Sequence, residues 1–289
     1  MQRIGDFTLD RVIESEVPLI PAADFFPDST PDVVEANKDW LQPTHLCPDT
    51  GKLVLCMQSY VVRTGRQNIL VDACVGNDKE RTNFPSWNRA QFPYLAALAA
   101  AGLQPEDIDV VLCTHLHVDH VGWNTRLVDG RWVPTFPNAR YVFAQREYDH
   151  WQEEMRTDPA AAHPLAFADS VLPVMEAGKA TLVDMDHEID HGVWFEPAPG
   201  HTPGNVVVNL KSGDATAILS GDVVHHPIQL VRPDWSSRAC ADRDHSHKTR
   251  RALLERVAET DTLLAPAHFA SPSIGRVTRK GDAFGYEFL

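Results

Sequence analysis

Three histidines and one aspartate fall within six residues of chain, at Thr114-His115-Leu116-His117-Val118-Asp119-His120. The residues just before, 109–113, include Val110, Val111 and Leu112 and read as a buried strand. Side chains alternate along extended backbone, so His115 and His117 share a face. If the chain then turns into a helix, Asp119 and His120 swing to a second point close by. One short segment can thus offer two ligands to each of two neighbouring ions. Imidazole and carboxylate suit Zn²⁺ and similar borderline cations. The plain alternative is a solvated polar loop, which such density on the end of a buried strand disfavours.

A two-ion site needs more ligands, and three later segments supply candidates. Pro199-Gly200-His201-Thr202-Pro203-Gly204 puts His201 in a glycine-bounded turn between strands. Ser220-Gly221-Asp222 puts Asp222 just after the strand 215–219, and Pro266-Ala267-His268 puts His268 just after the strand 262–265. Each is a lone polar residue at a strand end. It is their joint placement with the first cluster that raises them.

The rest of the chain alternates between strand and helix signals. Strands are expected at 53–63, 68–72, 109–113, 140–144, 181–185, 193–198, 206–210, 215–219 and 262–265. Helices are expected at 92–101, closed by Gly102, and at 146–156, 164–176 and 247–259, the last with Asp244 as N-cap. The Lys211-Ser212-Gly213-Asp214 turn makes a hairpin of its flanking strands. The tail 274–289 reads as a hairpin turning at Gly281. The segment 18–48 is rich in Pro and Asp and reads as an ordered loop with one short helix near 31–38. Many strand pairs are joined by short turns while others flank helices, so the sheets should be mixed, with helices packed outside. No linker divides the chain, and residues 1–289 are expected to form a single domain.

Lys and Arg total 26 against 40 Asp and Glu, a formal charge of −14. That balance repels nucleic-acid backbones and anionic membranes, which excludes both as main partners. The start of the chain lacks a basic region followed by an apolar run, so no secretory leader is expected. No stretch approaches the ~20 apolar residues that span a bilayer. Cys47, Cys56, Cys74, Cys113 and Cys240 are odd in number and contain no C-x-x-C pair. A reducing cytoplasm suits them better than a disulfide scaffold or a zinc ribbon.

The series H-x-H-x-D-H, then G-H-T-P-G, then S-G-D, then a late histidine at a strand end resembles the metallo-β-lactamase superfamily. The order and spacing match from His115 to His268, and Asp72-Ala73-Cys74-Val75-Gly76 is similar in part to the superfamily's early D-x-G-x-G turn. The resemblance implies an α+β fold, an αβ/βα sandwich of two mixed sheets with outer helices. It assigns His115, His117 and His201 to one ion, and Asp119, His120 and His268 to the other, with Asp222 bridging. It implies two divalent ions, zinc first, with manganese, cobalt or iron as alternatives.

Asp222 at the bridging position is similar to the superfamily's lactonases, arylesterases and organophosphate hydrolases rather than to true metallo-β-lactamases. N-acyl homoserine lactonases place a tyrosine three residues later. Here that residue is His225, which resembles methyl-parathion-hydrolase-like members; an imidazole N–H can donate the same hydrogen bond to a substrate carbonyl. The resemblance therefore implies a dinuclear hydrolase that uses a bridging hydroxide to open lactones or cleave carboxylic esters. Catalytic roles fall to Asp222, to Asp119 as proton carrier to the leaving oxygen, and to His225. Phosphotriester hydrolysis is the alternative, followed by a glyoxalase II-type thioesterase or a non-catalytic metal-binding protein. The expected partner is a small ester or lactone, and a homodimer is the candidate assembly. One decoy is present: His187-Glu188-Ile189-Asp190-His191 matches H-E-x-x-H, a zincin pattern that requires a helix.

Overall fold

The computed structural model describes residues 1–289. In chain order the strands are β1 (Gln2–Ile4), β2 (Phe7–Pro21), β3 (Lys52–Arg63), β4 (Asn68–Val71), β5 (Val110–Leu112), β6 (Thr125–Val128), β7 (Arg131–Pro134), β8 (Arg140–Ala144), β9 (Ala180–Val183), β10 (Glu188–Asp190), β11 (Val193–Pro197), β12 (Val206–Ser212), β13 (Ala215–Gly221), β14 (Leu263–Pro266), β15 (Gly275–Lys280) and β16 (Ala283–Phe288). The helices are α1 (Ala22–Phe25), α2 (Pro31–Leu41), α3 (Tyr94–Ala100), α4 (Gln145–Thr157), α5 (Ala162–Ser170), α6 (Leu172–Glu176), α7 (Ile228–Val231) and α8 (Arg243–Val257). None is long and apolar enough to cross a membrane. The chain forms two compact units, Met1–Ser15 with Met57–His187, and Glu16–Cys56 with Glu188–Leu289.

A sheet of order β1-β2-β3-β4-β5-β8-β9 carries most of the first unit's strands. Its β4, β5, β8 and β9 pair in parallel, with Val71 opposite Leu112 and Leu112 opposite Val142. Strands buried on both faces read as continuous apolar runs, and Val110, Val111 and Leu112 are all buried. Parallel pairing brings the carboxyl ends of adjacent strands to one edge, where open α/β sheets place their ligands. Asp72, the His115–His120 segment and the first turn of α4 therefore leave the sheet side by side.

The second unit's sheet runs β10-β11-β12-β13-β14-β15-β16 and is antiparallel except for β13 and β14. Gly221 pairs with Pro266 at the ends of those two strands, and Val206 starts β12 opposite the last residue of β11. The same geometry recurs: the turn carrying His201, the residue Asp222 and the residue His268 all leave one edge. Two mixed sheets with helices are thus the architecture expected from the sequence.

Several expectations need correction. The helix expected at 164–176 is two, α5 and α6, broken at Val171; Pro173 supplies no N–H and clashes with a preceding helical turn. The cap of α8 is Asp242, whose carboxylate accepts from His245 N–H at 2.9 Å, and not Asp244. The strand β2 runs on to Pro21, four residues into the segment 18–48 that is expected to be loop. The chain after His117 makes one turn, closed by His120 N–H on His117 O at 3.0 Å, rather than a helix.

Candidate functional site

In the first unit the ligand candidates hang on a loop held by carboxylates. Asp72, at φ +60, sits in the left-handed region and takes three contacts. Its Oδ1 accepts from Thr114 N–H at 2.8 Å, and its Oδ2 lies 3.0 Å from both Thr114 Oγ1 and His120 Nδ1. Thr114 Oγ1 is also 3.1 Å from His115 Nδ1. A hydroxyl that donates to Asp72 can accept from His115 Nδ1–H. Both rings then keep the proton on Nδ1 and present Nε2 as the donor atom, a carboxylate–histidine arrangement that fixes tautomer and raises basicity. The rings of His115 and His117 lie 4.6 Å apart, as a shared face requires, and the ring of His120 comes within 4.1 Å of that of His115.

The loop that follows is pinned to residues 73–76. Ala73 N–H donates to His120 O, Gly122 N–H to Cys74 O and Trp123 N–H to Ala73 O, at 2.6–2.7 Å. The approach leaves no room for a side chain: a Cβ on Gly122 would stand 1.8 Å from Val75 O. Glu14, from β2, closes the arrangement by accepting from Val75 N–H, Gly76 N–H and Trp123 Nε1–H at 3.0, 3.0 and 2.7 Å. Burial pushes its carboxyl up to about 7 against those three donors. No sequence pattern points to Glu14.

In the second unit Asp222, 3% exposed, is ringed by imidazoles. His201 Nε2 and His225 Nε2 lie 3.1 and 3.2 Å from its Oδ2, and His268 Nε2 lies 3.0 Å from its Oδ1. His268 Nδ1 is 3.0 Å from Cys56 O, and a carbonyl can only accept, so the ring carries its proton there. In the neutral ring Nε2 then aims a lone pair at a carboxylate oxygen. Two acceptors held this close make a donor set for a cation. His201 Nδ1 lies 3.4 Å from Cys240 Sγ, and Ser237 and Ser246 each place an oxygen 3.3 Å from that sulfur. Burial opposes a charge on His201, but Asp222 and Cys240 together raise it to about 10. A divalent ion taken up at Nε2 would displace that proton. Gly200, at φ +128, lets the His201 turn dock: a Cβ there would come within 2.3 Å of Ser246 N.

His225 is buried, and burial lowers its pKa to about 4. Its Nε2 also lies 3.4 Å from Ser237 Oγ, and its ring meets Phe25 edge-on at 5.4 Å. In this arrangement Nε2–H serves Asp222. The H-E-x-x-H decoy fails on its structural requirement, since Glu188 to Asp190 form strand β10. The residues present thus fit divalent ions: imidazoles with fixed tautomers, and a buried carboxylate beside them.

A family model described as the metallo-beta-lactamase superfamily matches residues 58–268. Among curated proteins, an N-acyl homoserine lactonase of Bacillus sp. is 28% identical over 123 residues, covering 42% of this chain and 40% of that protein. The N-acyl homoserine lactonase AiiA of Bacillus thuringiensis subsp. kurstaki is 24% identical over 125 residues, again 42% of this chain and 40% of that one. The matched stretch is therefore two fifths of those relatives' length. Two solved structures share the fold over 100% of this chain and 96% of their own. They are AidC, a dizinc quorum-quenching lactonase solved with the product N-hexanoyl-L-homoserine (TM-score 0.81, 21% identity), and the hydrolase AbOPH (TM-score 0.82, 23% identity).

Proposed function

Because the chain belongs to the metallo-beta-lactamase superfamily, we propose that it is a metal-dependent hydrolase that opens lactones or cleaves carboxylic esters at a dinuclear centre. The observation that carries this reading is the donor set. Residues of ligating type are His115, His117, Asp119 and His120 on the first unit and His201, Asp222 and His268 on the second; we propose that they combine as His115, His117, His201 and Asp222, and as Asp119, His120 and His268. We assign each group to one ion, with Asp222 shared. The lactonase relatives favour a lactone as substrate. Zinc is the first candidate ion, since imidazole nitrogen and carboxylate oxygen are its usual ligands outside thiolate sites.

When bound, two such ions lower the pKa of water toward neutrality and polarise an ester carbonyl. The protein's own groups do the rest. Asp72 orients His120 directly and His115 through Thr114. Cys56 O orients His268. Asp119, half-buried on the turn after His117, is the group we assign to carry a proton to the leaving oxygen, a general-acid role. His225 Nε2–H reaches Asp222 Oδ2 in this structure, and it is the donor we assign to a substrate carbonyl once that carboxylate is taken up by the ions. We also propose that the two units act as one domain. The chain passes between them after Ser15, Cys56 and His187, so no single cut separates them.

The test is metal analysis of the purified protein, followed by kcat/KM on a panel of N-acyl homoserine lactones, aryl esters, phosphotriesters and thioesters. Two equivalents of ion with lactones or esters turned over best are expected. Two equivalents with phosphotriesters preferred would move the substrate class. Bound ions with no turnover would favour a non-catalytic role. His225→Phe should keep both ions and lower kcat roughly 10- to 100-fold, the usual effect of losing a partner of a ligating carboxylate. Unchanged kcat in that variant would remove His225 from the mechanism.

A further inference from the structure

We propose that Glu147 and His163 are positioning residues that hold the ligand-bearing loop in an ion-accepting shape from its outer side. The inference rests on reading His115, His117 and Asp119 as ligands. The strand β5 ends at Leu112, so beyond it the backbone no longer has a ladder to satisfy its N–H groups. In residues 115–119 the odd positions carry the ligand side chains. The N–H groups of the two intervening residues are taken up one by one. Leu116 N–H donates to Glu147 Oε1 at 3.0 Å, and Val118 N–H donates to His163 Nδ1 at 3.3 Å. One acceptor is thus supplied for each residue between ligands.

The two acceptors come from adjacent helices and are themselves fixed. Glu147 lies in the first turn of α4, and Trp151 lies one turn later on the same face. Trp151 Nε1–H donates to the same Glu147 Oε1 at 2.6 Å. Glu147 is 1% exposed. A carboxylate so deeply buried is tolerated when N–H donors surround it, whereas an apolar residue would pack α4 without that demand. His163, at the start of α5, accepts through Nδ1, which puts the proton of the neutral ring on Nε2. Its ring stacks on His117 with centroids 4.0 Å apart and planes at 27°. The Trp151 ring stands against His117 at 5.3 Å and against His163 at 5.2 Å. The direction of the His117 ring is therefore set by α4 and α5, just as that of His120 is set by Asp72.

The experiment separates this role from simple packing. Zinc affinity is measured by competition with a chromogenic chelator for the wild type and for Glu147→Ala, Glu147→Gln, His163→Phe and His163→Asn. Melting temperature is taken with and without excess chelator. Phe keeps a ring against His117 and removes the acceptor; Asn and Gln keep an acceptor oxygen. Glu147→Ala and His163→Phe should bind zinc 10- to 100-fold more weakly, the usual effect of losing a partner outside the ligand shell. Glu147→Gln and His163→Asn should recover most of that loss. Zinc should then raise the melting temperature less in the two weakened variants than in the wild type. Should either weakened variant fold poorly, the acceptor-keeping pair decides: wild-type affinity there is expected, and a full loss there overturns the proposal. Equal affinity in all five proteins overturns it too, even if the chelated variants melt lower, since that is packing alone. A wild type that takes up no zinc overturns the metal reading itself, and is seen before any variant is compared.

Discussion

Replacing Asp222 by Asn should leave the protein folded, reduce bound metal to one equivalent or less, and lower kcat/KM by at least about a thousandfold. The physical reason lies in the number of groups that converge on one side chain. Three imidazole nitrogens lie within 3.0–3.2 Å of its two oxygens. A carboxylate has two oxygens and a full charge and can serve two cations at once, which a neutral amide cannot. Removing an electrostatic partner from a water-excluded reaction centre typically lowers turnover by 10² to 10³ on its own, about 3–4 kcal/mol of barrier. Loss of the ion that depends on it adds to that. The amide keeps the volume and one acceptor, so the melting temperature in excess chelator should move by only a few degrees, while the rise produced by zinc should shrink. An Asp222→Asn protein with two ions and wild-type turnover would falsify the shared-ligand assignment. One that keeps both ions and loses turnover would instead place Asp222 in the chemistry without a bridging role.

What the sequence made legible is what local signals can carry. The buried strands β5, β8 and β12–β14 announce themselves as apolar runs, and the turns at Gly213 and Gly281 join the hairpins expected of them. The ligand candidates were legible because they sit at strand ends, each next to a run that fixes where the strand stops. The N-terminal part was not legible: β2 is 15 residues long, and its second half carries Pro18 and Pro21, which read as loop punctuation. Its strand character depends on a partner strand far along the chain. The groups that support the ligands were invisible for the same reason. Glu14 meets Val75 across 61 residues, Glu147 meets Leu116 across 31, and His163 meets Val118 across 45. Spacing rules describe one element, and these contacts join different ones. A histidine such as His163, with no motif around it, gains meaning only when its Nδ1 is seen against a backbone N–H.

Acidification should unfold the protein cooperatively near pH 4, and one histidine pair accounts for much of the effect. His226, fully buried, has both ring nitrogens committed in the neutral form. Nε2–H donates to His45 O at 2.8 Å, and Nδ1 accepts from Ile228 N–H at 3.2 Å. A second ring proton would point at that N–H. His45 is stacked on Phe288 at 5.1 Å, and its ring meets His226 edge-on at 6.0 Å. Burial lowers His226 to about 3, against the upward pull of its bond to His45 O and helped by repulsion from His45 and His225; burial also lowers His45 to about 4, against an upward pull from Glu16. The ordinary value is 6.5 for each, so below pH 6.5 the unfolded chain binds protons that the folded protein refuses. Stability is therefore fully present above pH 6.5 and is lost as the pH falls toward the folded-state values. At pH 4 His226 alone removes roughly 3 kcal/mol, from 1.36 kcal/mol per unit of separation, and His45 at most a similar amount. Against a typical total of about 5–15 kcal/mol, that brings unfolding within reach. The decisive measurement is the slope of unfolding free energy against pH between 5 and 6, by urea titration in excess chelator. His226→Gln should flatten it by one proton, about 1.4 kcal/mol per pH unit. The candidate ligand histidines titrate equally in both proteins and cancel in that difference. Parallel slopes for the variant and the wild type would clear His226 of any part in acid lability and leave it a neutral packing group at every pH.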